Sequence, residues 1–174
     1  MQQFRDDRDA ALGSYAQALE RFNSIGSVLG QANVLMAIGD VQQFRDDRDA
    51  ALGSYAQALE RFNSIGSVLG QANVQQSLGK LYLQQEDESQ YENGLNALDN
   101  ALVLYRQIGD RVGQTNVYTF FARWLAGRGQ FQEALKFGNM ALTLANEFIP
   151  DHPFTEWLKG FVQALETEVK KSTQ

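Results

Sequence analysis

Few residues of this chain could perform chemistry. The chain has no cysteine, which excludes disulfides, thiolate nucleophiles and cysteine-bound zinc or iron–sulfur clusters. Its one histidine, His152, lies in a loop between two prolines and has no second imidazole to share a metal or a proton. The charged clusters 45–49 and 86–88 are typical of solvated helix starts and loops. Phosphate-loop, dinucleotide-binding, EF-hand and nucleophile-elbow spacings do not occur, so the sequence predicts no enzyme activity, no metal site and no cofactor.

Charge and hydropathy restrict the expected partners. The formal net charge of −6 at pH 7 argues against a protein that binds a phosphate backbone, so no nucleic-acid partner is expected. The first residues reach an acidic side chain by Asp6 without an apolar stretch, which is unlike a secretory signal. The longest uncharged run, 22–39, is interrupted by polar residues and glycines and makes a poor membrane span. We therefore expect a cytoplasmic protein with no membrane partner.

An internal repeat positions all other features. Residues 2–34 recur without a substitution as residues 42–74, and a weaker third copy follows. The composition is rich in Leu, Ala and Gln and contains only two prolines, which favours helix. A period near 40 residues in such a chain predicts stacked helical hairpins, each unable to bury its apolar face alone. The fold class we expect is therefore all-α.

Apolar periodicity places the helices within each repeat. Second helices carry a stripe at spacings of four and three residues, which in the middle copy comprises Ala51, Tyr55, Ala58, Phe62 and Ile65. First helices are expected at 30–44 and 70–84, and acidic stretches such as 45–49 should separate the helices of a pair and can cap the next one. An opening helix over about 7–24 then lacks a hairpin partner. A last amphipathic helix over 154–171 should cap the array, with Trp157 facing inward.

These positions resemble the tetratricopeptide repeat family. The residues that carry the resemblance in the second repeat are Leu35, Ile38-Gly39, Ala51, Tyr55 and Ala58-Leu59, and in the third Leu78-Gly79, Tyr82, Gly94, Leu98 and Ala101-Leu102. The long spacing is similar to the subclass in kinesin light chains, Pins-type adaptors and bacterial signalling arrays. The resemblance implies an α-α superhelix, a single array over 1–174. Its expected parts are a half repeat at 1–27, repeats at 28–67, 68–110 and 111–149, and a capping helix at 153–172.

The resemblance also implies a peptide groove lined by first helices. The family's groove positions carried onto this chain are Asn33, Met36, Asp40, Asn73, Gln76, Lys80, Asn116, Thr119 and Arg123. The recurring asparagine could pair with the main chain of a peptide, because an amide both donates and accepts; alternatively it satisfies local backbone groups. Lys80 and Arg123 could receive an acidic ligand. The set lacks the carboxylate clamp of chaperone-binding members, which disfavours a chaperone tail.

Three functional interpretations follow from this sequence. The first is a non-catalytic scaffold that binds a peptide or helix of a partner protein in the groove. The second is a structural or self-assembling array, whether naturally duplicated, engineered or truncated, in which the unpaired opening helix mediates homo-oligomerisation. The third is a regulatory fragment of a larger signalling enzyme or ATPase.

Overall fold

In a computed structural model, the first helix begins at the second residue, and helices joined by short turns make up most of the described residues. The structure describes residues 2–84 and 88–172, and of residues 2–7 and 88 it describes the backbone only. The α-helices of the described residues are α1 (Gln2–Ser24), α2 (Val28–Phe44), α3 (Arg48–Ser64), α4 (Val68–Leu83), α5 (Tyr91–Gln107), α6 (Arg111–Gly127), α7 (Phe131–Phe148) and α8 (Pro153–Ser172). A short 3-10 turn, Glu88–Gln90, precedes α5. Of the acidic cluster 86–88, the first two residues lie outside the described residues. The expected all-helical class is confirmed for the described ranges.

The links before α2, α4 and α6 share one construction. Gly26, Gly66 and Gly109 each adopt a positive φ of 64 to 69°, a conformation that costs glycine little. The next residue then begins a helix, and its side chain accepts a hydrogen bond from the backbone N–H three positions on; these residues are Ser27, Ser67 and Asp110. Glycine therefore ends one helix while a serine or aspartate starts the next.

Helices α1 to α4 form the body of a first compact unit, Met1–Leu104. Consecutive helices pack on each other, and α2 also touches α4. The apolar core of this unit comprises Ala32, Leu35, Ala51, Tyr55, Ala58, Phe62, Val74 and Leu81. The Arg48 guanidinium of α3 lies over the ring of Tyr82 of α4, 5.7 Å from its centroid. A cation–π contact thus links α3 to α4.

Glycines allow the helices of the first unit to approach closely. A Cβ atom on Gly39 would lie 2.7 Å from the Tyr55 ring, and one on Gly70 would overlap the Phe62 ring. A Cβ on Gly79 would meet the Leu98 side chain at 2.5 Å. Because large side chains occupy the space where a Cβ would stand, these glycines are required by packing and not by turn geometry.

The second unit, Tyr105–Gln174, contains α6, α7 and α8, and α7 packs on both of the other two. Leu125, Ala134 and Leu165 form its buried centre, one from each helix. Trp157 was expected inside, but it is 44 % exposed and stacks between Phe154 and Phe161 along one side of α8. Leu158 and Leu165 are buried together with Thr155 and Val162, and Trp157 lies outside this buried stripe of α8.

The acidic stretch 45–49 contains the break between α2 and α3, as expected, whereas two other expectations about such stretches are wrong. Helix α1 begins at Gln2 and not near Asp7, so residues 5–9 do not separate two helices. Residues 42–47 have the same sequence as residues 2–7, but they form the end of α2 and the turn that follows it. Asp46 in this turn has a φ of +61°. At this point the chain reverses so that α2 packs against α3. This tertiary packing stabilises a turn in a sequence that is helical in α1. The side chain of Asp47, which precedes α3, makes no capping hydrogen bond.

Candidate functional site

The predicted binding row of α2 lies on one side of that helix. Asn33, Met36 and Asp40 are spaced by three and four residues, so they share a face. Asn33 is exposed, whereas Met36 and Asp40 are half-buried. The Asn33 amide makes no hydrogen bond to any described group, so it does not satisfy local backbone groups there. This face offers an open amide at one end and a carboxylate at the other.

The row of α4 is less accessible than that of α2. Asn73 and Lys80 are half-buried and Gln76 is buried, and each of the three already has a polar or electrostatic partner. The partner recorded for Lys80 is Asp40, whose charge attracts it from α2. The structure therefore brings the distal ends of the α2 and α4 rows together.

A polar cluster links α2, α3 and α4 at this point. The Tyr55 hydroxyl donates to Asp40 Oδ1 at 2.7 Å and lies 3.0 Å from Gln43 Oε1. Ser77 of α4 also lies near the Tyr55 oxygen, where its hydroxyl acts to lower the pKa of Tyr55. The tyrosine ring is buried against Gly39, so packing of the ring and hydrogen bonding of the hydroxyl both hold this side chain in place. This cluster fixes the position of the Asp40 carboxylate.

Burial controls the ionisation of the cluster. Desolvation raises the pKa of Asp40, although the Tyr55 hydrogen bond and the Lys80 charge both oppose this shift. Desolvation likewise lowers the pKa of Lys80, against the attraction of Asp40. The pKa of Tyr55 is raised far above its usual value, first by burial and then by its hydrogen bond to Asp40. The phenol therefore remains a hydrogen-bond donor, and nothing in the cluster activates it as a nucleophile or base.

The second unit carries a comparable row on α6. Asn116 and Arg123 are exposed, and Thr119 lies between them at the same spacings as in α2 and α4. The Asn116 amide, like that of Asn33, has no hydrogen-bond partner among the described residues. Thr119 is buried, and its Oγ1 has no partner within the described part of the chain. An unpaired buried hydroxyl is costly, which makes Thr119 the least satisfied polar group of the α6 row.

Sequence reasoning missed the residues that hold Asp40 in place. Tyr55 is expected from its spacing to be a core residue, and its ring is buried as expected, but its hydroxyl is the centre of the polar cluster. Gln43 and Ser77 carry no periodic signal. The adjacent pair Gly39-Asp40 is the one usable signal, because a glycine that admits a tyrosine ring places the next side chain near the tyrosine hydroxyl.

The described residues provide no metal-binding or membrane-spanning element. No group of three or more His, Asp and Glu side chains in them could hold a metal ion. Among the described helices, none combines the length and apolar character needed to cross a bilayer. His152 has a structural role, since its Nδ1 accepts a hydrogen bond from the Phe154 N–H in the first turn of α8.

Comparison with known proteins adds no assignment. A scan against protein-family models found no matching family, and a search of curated proteins found no matching protein.

Proposed function

We propose that this chain is a non-catalytic protein-binding module whose first helices present a recognition surface for a peptide or helix of a partner. The proposal includes a tetratricopeptide-like superhelical arrangement of its hairpins, which rests on the resemblance of the repeats. The observation that carries it is the state of Asn33 and Asn116. Both amides are exposed, at corresponding positions of α2 and α6, and neither is hydrogen-bonded to a described group.

The chemistry of these rows suits recognition of a peptide main chain. An amide side chain donates and accepts at once, so it can pair with a peptide group whatever side chain that residue carries. Met36 adds an adaptable apolar contact beside Asn33 on α2. Arg123 on α6 and Lys80 on α4 favour acidic side chains on the ligand, whereas the Asp40 carboxylate beside Lys80 restricts how much negative charge α4 accepts.

A peptide-display experiment tests the proposal. Peptides selected on the chain should lose binding to a variant in which Asn33, Asn73 and Asn116 are all replaced by alanine. The matched control replaces Asn63, Asn100 and Asn139, which are exposed on the second helices α3, α5 and α7. Circular dichroism should show helical spectra for both variants. Equal affinity of the two triple variants for the selected peptides would contradict the proposal.

Self-assembly is the second candidate function, and one observation favours it. Ile25 at the end of α1 is 73 % exposed, while its counterpart Ile65 in the identical repeat is 41 % exposed. Burying such apolar surface against another chain is favourable. Multi-angle light scattering over a range of concentrations tests this function, and a mass that remains that of one chain throughout would exclude it.

A further inference from the structure

Two segments of identical sequence have different surroundings in this molecule. Residues 8–24 of α1 repeat as residues 48–64 of α3. Ser54 of α3 is 7 % exposed and therefore buried, but the corresponding Ser14 of α1 is exposed. Ala58 and Phe62 are buried, and their counterparts in α1 are half-buried. The same side chains are therefore covered in α3 and uncovered in α1, so the chain contains its own control for what this surface contacts.

Helix α2 is what covers the surface of α3. Gly39 of α2 lies under the Tyr55 ring, and Asp40 accepts a hydrogen bond from the Tyr55 hydroxyl. The residue before Tyr55 adds a second polar contact, because Ser54 Oγ donates to Gln42 Oε1 at 2.7 Å. Ala32 and Leu35 of α2 complete the contact with the alanine and phenylalanine positions of α3 in the shared core.

Helix α1 has the contact that α3 makes with α4, but it lacks the contact that α3 makes with α2. Its Phe22 ring occupies the space above Gly30, as Phe62 occupies the space above Gly70. The hydroxyl of Tyr15, the counterpart of Tyr55, has no hydrogen-bond partner among the described residues. An open hollow of about 570 Å³ runs along α1 between Ser14 and Ile25. We call the surface formed by Ser14, Tyr15, Ala18 and Ile25 the open face of α1.

We propose that the open face of α1 docks an amphipathic helix with the pattern of α2, in which a glycine faces Tyr15 and is followed directly by an aspartate. Identical side chains on an identical helix take the same complement, and the contact of α2 with α3 specifies that complement residue by residue. The glycine admits the aromatic ring, the aspartate accepts from its hydroxyl, and a glutamine two residues later receives the Ser14 hydroxyl. The open face belongs to α1, whereas the amide rows of the proposed function lie on α2, α4 and α6, so the two surfaces are separate.

A peptide with the sequence of α2, residues 28–44, is the probe for this site. Labelled at its N-terminus, blocked at both ends and titrated with the full chain, it should give a saturable rise in fluorescence anisotropy at one peptide per chain. Ser14→Arg should weaken this binding at least about tenfold, because a long cation would occupy the hollow that the peptide fills. Ala16→Arg is the matched control, since Ala16 and its counterpart Ala56 are both exposed and no helix covers either.

Changes in the peptide test its pattern independently. A peptide carrying Gly39→Leu should lose binding because its side chain would overlap the tyrosine ring, whereas one carrying Asn33→Ala should bind as the parent does. Ser14 is exposed, so the arginine variant should melt at the same temperature as the parent chain; Ile25→Glu provides a second variant at an exposed position.

Three results would overturn the proposal. The first is no binding of the parent peptide at millimolar concentration. The second is equal binding to the Ser14→Arg and Ala16→Arg chains, which would place the peptide elsewhere. The third is self-association of the chain that Ser14→Arg abolishes while the peptide fails to compete with it, because the open face would then take a different surface of a second copy.

Discussion

Asp40 of α2 accepts a hydrogen bond from Tyr55 of α3 at 2.7 Å, and the charge of Lys80 of α4 attracts the same carboxylate. One carboxylate thus ties together three helices of the first unit. Because the tyrosine ring is buried on Gly39, the hydrogen bond cannot form unless α2 and α3 are closely packed. The cluster is therefore sensitive both to the charge of Asp40 and to helix packing.

The charge of Asp40 should make stability depend on acid pH. Because the pKa of Asp40 is higher in the folded chain than its unfolded value of 3.8, the folded state binds that proton more tightly. This contribution to stability is complete below pH 3.8 and is lost as the pH rises through the folded pKa. Asp40→Asn removes the titration yet still accepts from Tyr55. The free energy of unfolding of Asp40→Asn relative to the parent should therefore increase as the pH rises from below 3.8 through the folded pKa of Asp40.

Urea denaturation at a series of pH values measures this difference. The comparison isolates the side chain of residue 40, because the two proteins differ at that position alone. A difference between the two proteins that does not change with pH would show that Asp40 has the same pKa in the folded and unfolded chain.

Two glycine substitutions in the first unit should have opposite signs. Gly79→Ala should destabilise by about 1–3 kcal/mol, because its Cβ would lie 2.5 Å from Leu98 and 3.0 Å from the rigid Gly94 carbonyl oxygen. Gly53→Ala should stabilise by about 0.5–1 kcal/mol, because that helical position of α3 is open and alanine is the better helix former. Thermal or chemical unfolding measures both, and equal effects would mean that α4 and α5 do not pack as described.

The turn between α2 and α3 should tolerate glycine better than the residue it has. Asp46 has a φ of +61°, which strains any residue with a Cβ. Asp46→Gly should therefore stabilise the chain by about 0.5–1 kcal/mol. Asp6→Gly, at the identical position of the first copy, should give no gain because that residue is helical in α1. Unfolding of the two variants side by side is the measurement, and a gain in both would contradict the unlike conformations of the two segments.

The unpaired hydroxyl of Thr119 should be dispensable for folding. Thr119→Val replaces it by a methyl group of similar volume, which should raise the free energy of unfolding by about 1 kcal/mol. If the α6 row contacts a ligand, the same variant should bind selected peptides more weakly in spite of its greater stability. Denaturation curves and peptide titrations on one preparation measure both effects, and a less stable variant would mean that the hydroxyl is paired in solution.

Local and periodic features could be predicted from the sequence. The spacing of Tyr55, Ala58 and Phe62 predicts one buried helical stripe, and these three residues are buried. The links containing Gly66 and Gly109 are likewise readable, because glycine followed by Ser or Asp ends one helix and starts another by local chemistry alone. For the candidate site, the spacing of Asn33, Met36 and Asp40 was enough to place them on one face.

Features that depend on tertiary packing could not be predicted. Residues 2–7 and 42–47 have the same letters, yet the first segment is helical and the second contains the turn at Asp46. The hydrogen bond between Tyr55 and Asp40 requires two helices in contact, and no periodic pattern encodes it. The exposure of Trp157 depends on how wide a stripe of α8 the neighbouring helix covers, and periodicity does not determine that width.

The distribution of tryptophan gives the two units different optical signals. The chain has two tryptophans, Trp124 in α6 and Trp157 in α8, and both belong to the second unit. Trp124 lies beneath the Arg128 guanidinium, and Trp157 stacks in the aromatic row of α8, so both indoles change surroundings when those helices separate. Tryptophan emission therefore follows the melting of the C-terminal helices alone, whereas ellipticity at 222 nm follows the helices of the whole chain. A difference between the melting temperatures from these two signals measures how far the repeats unfold without cooperativity.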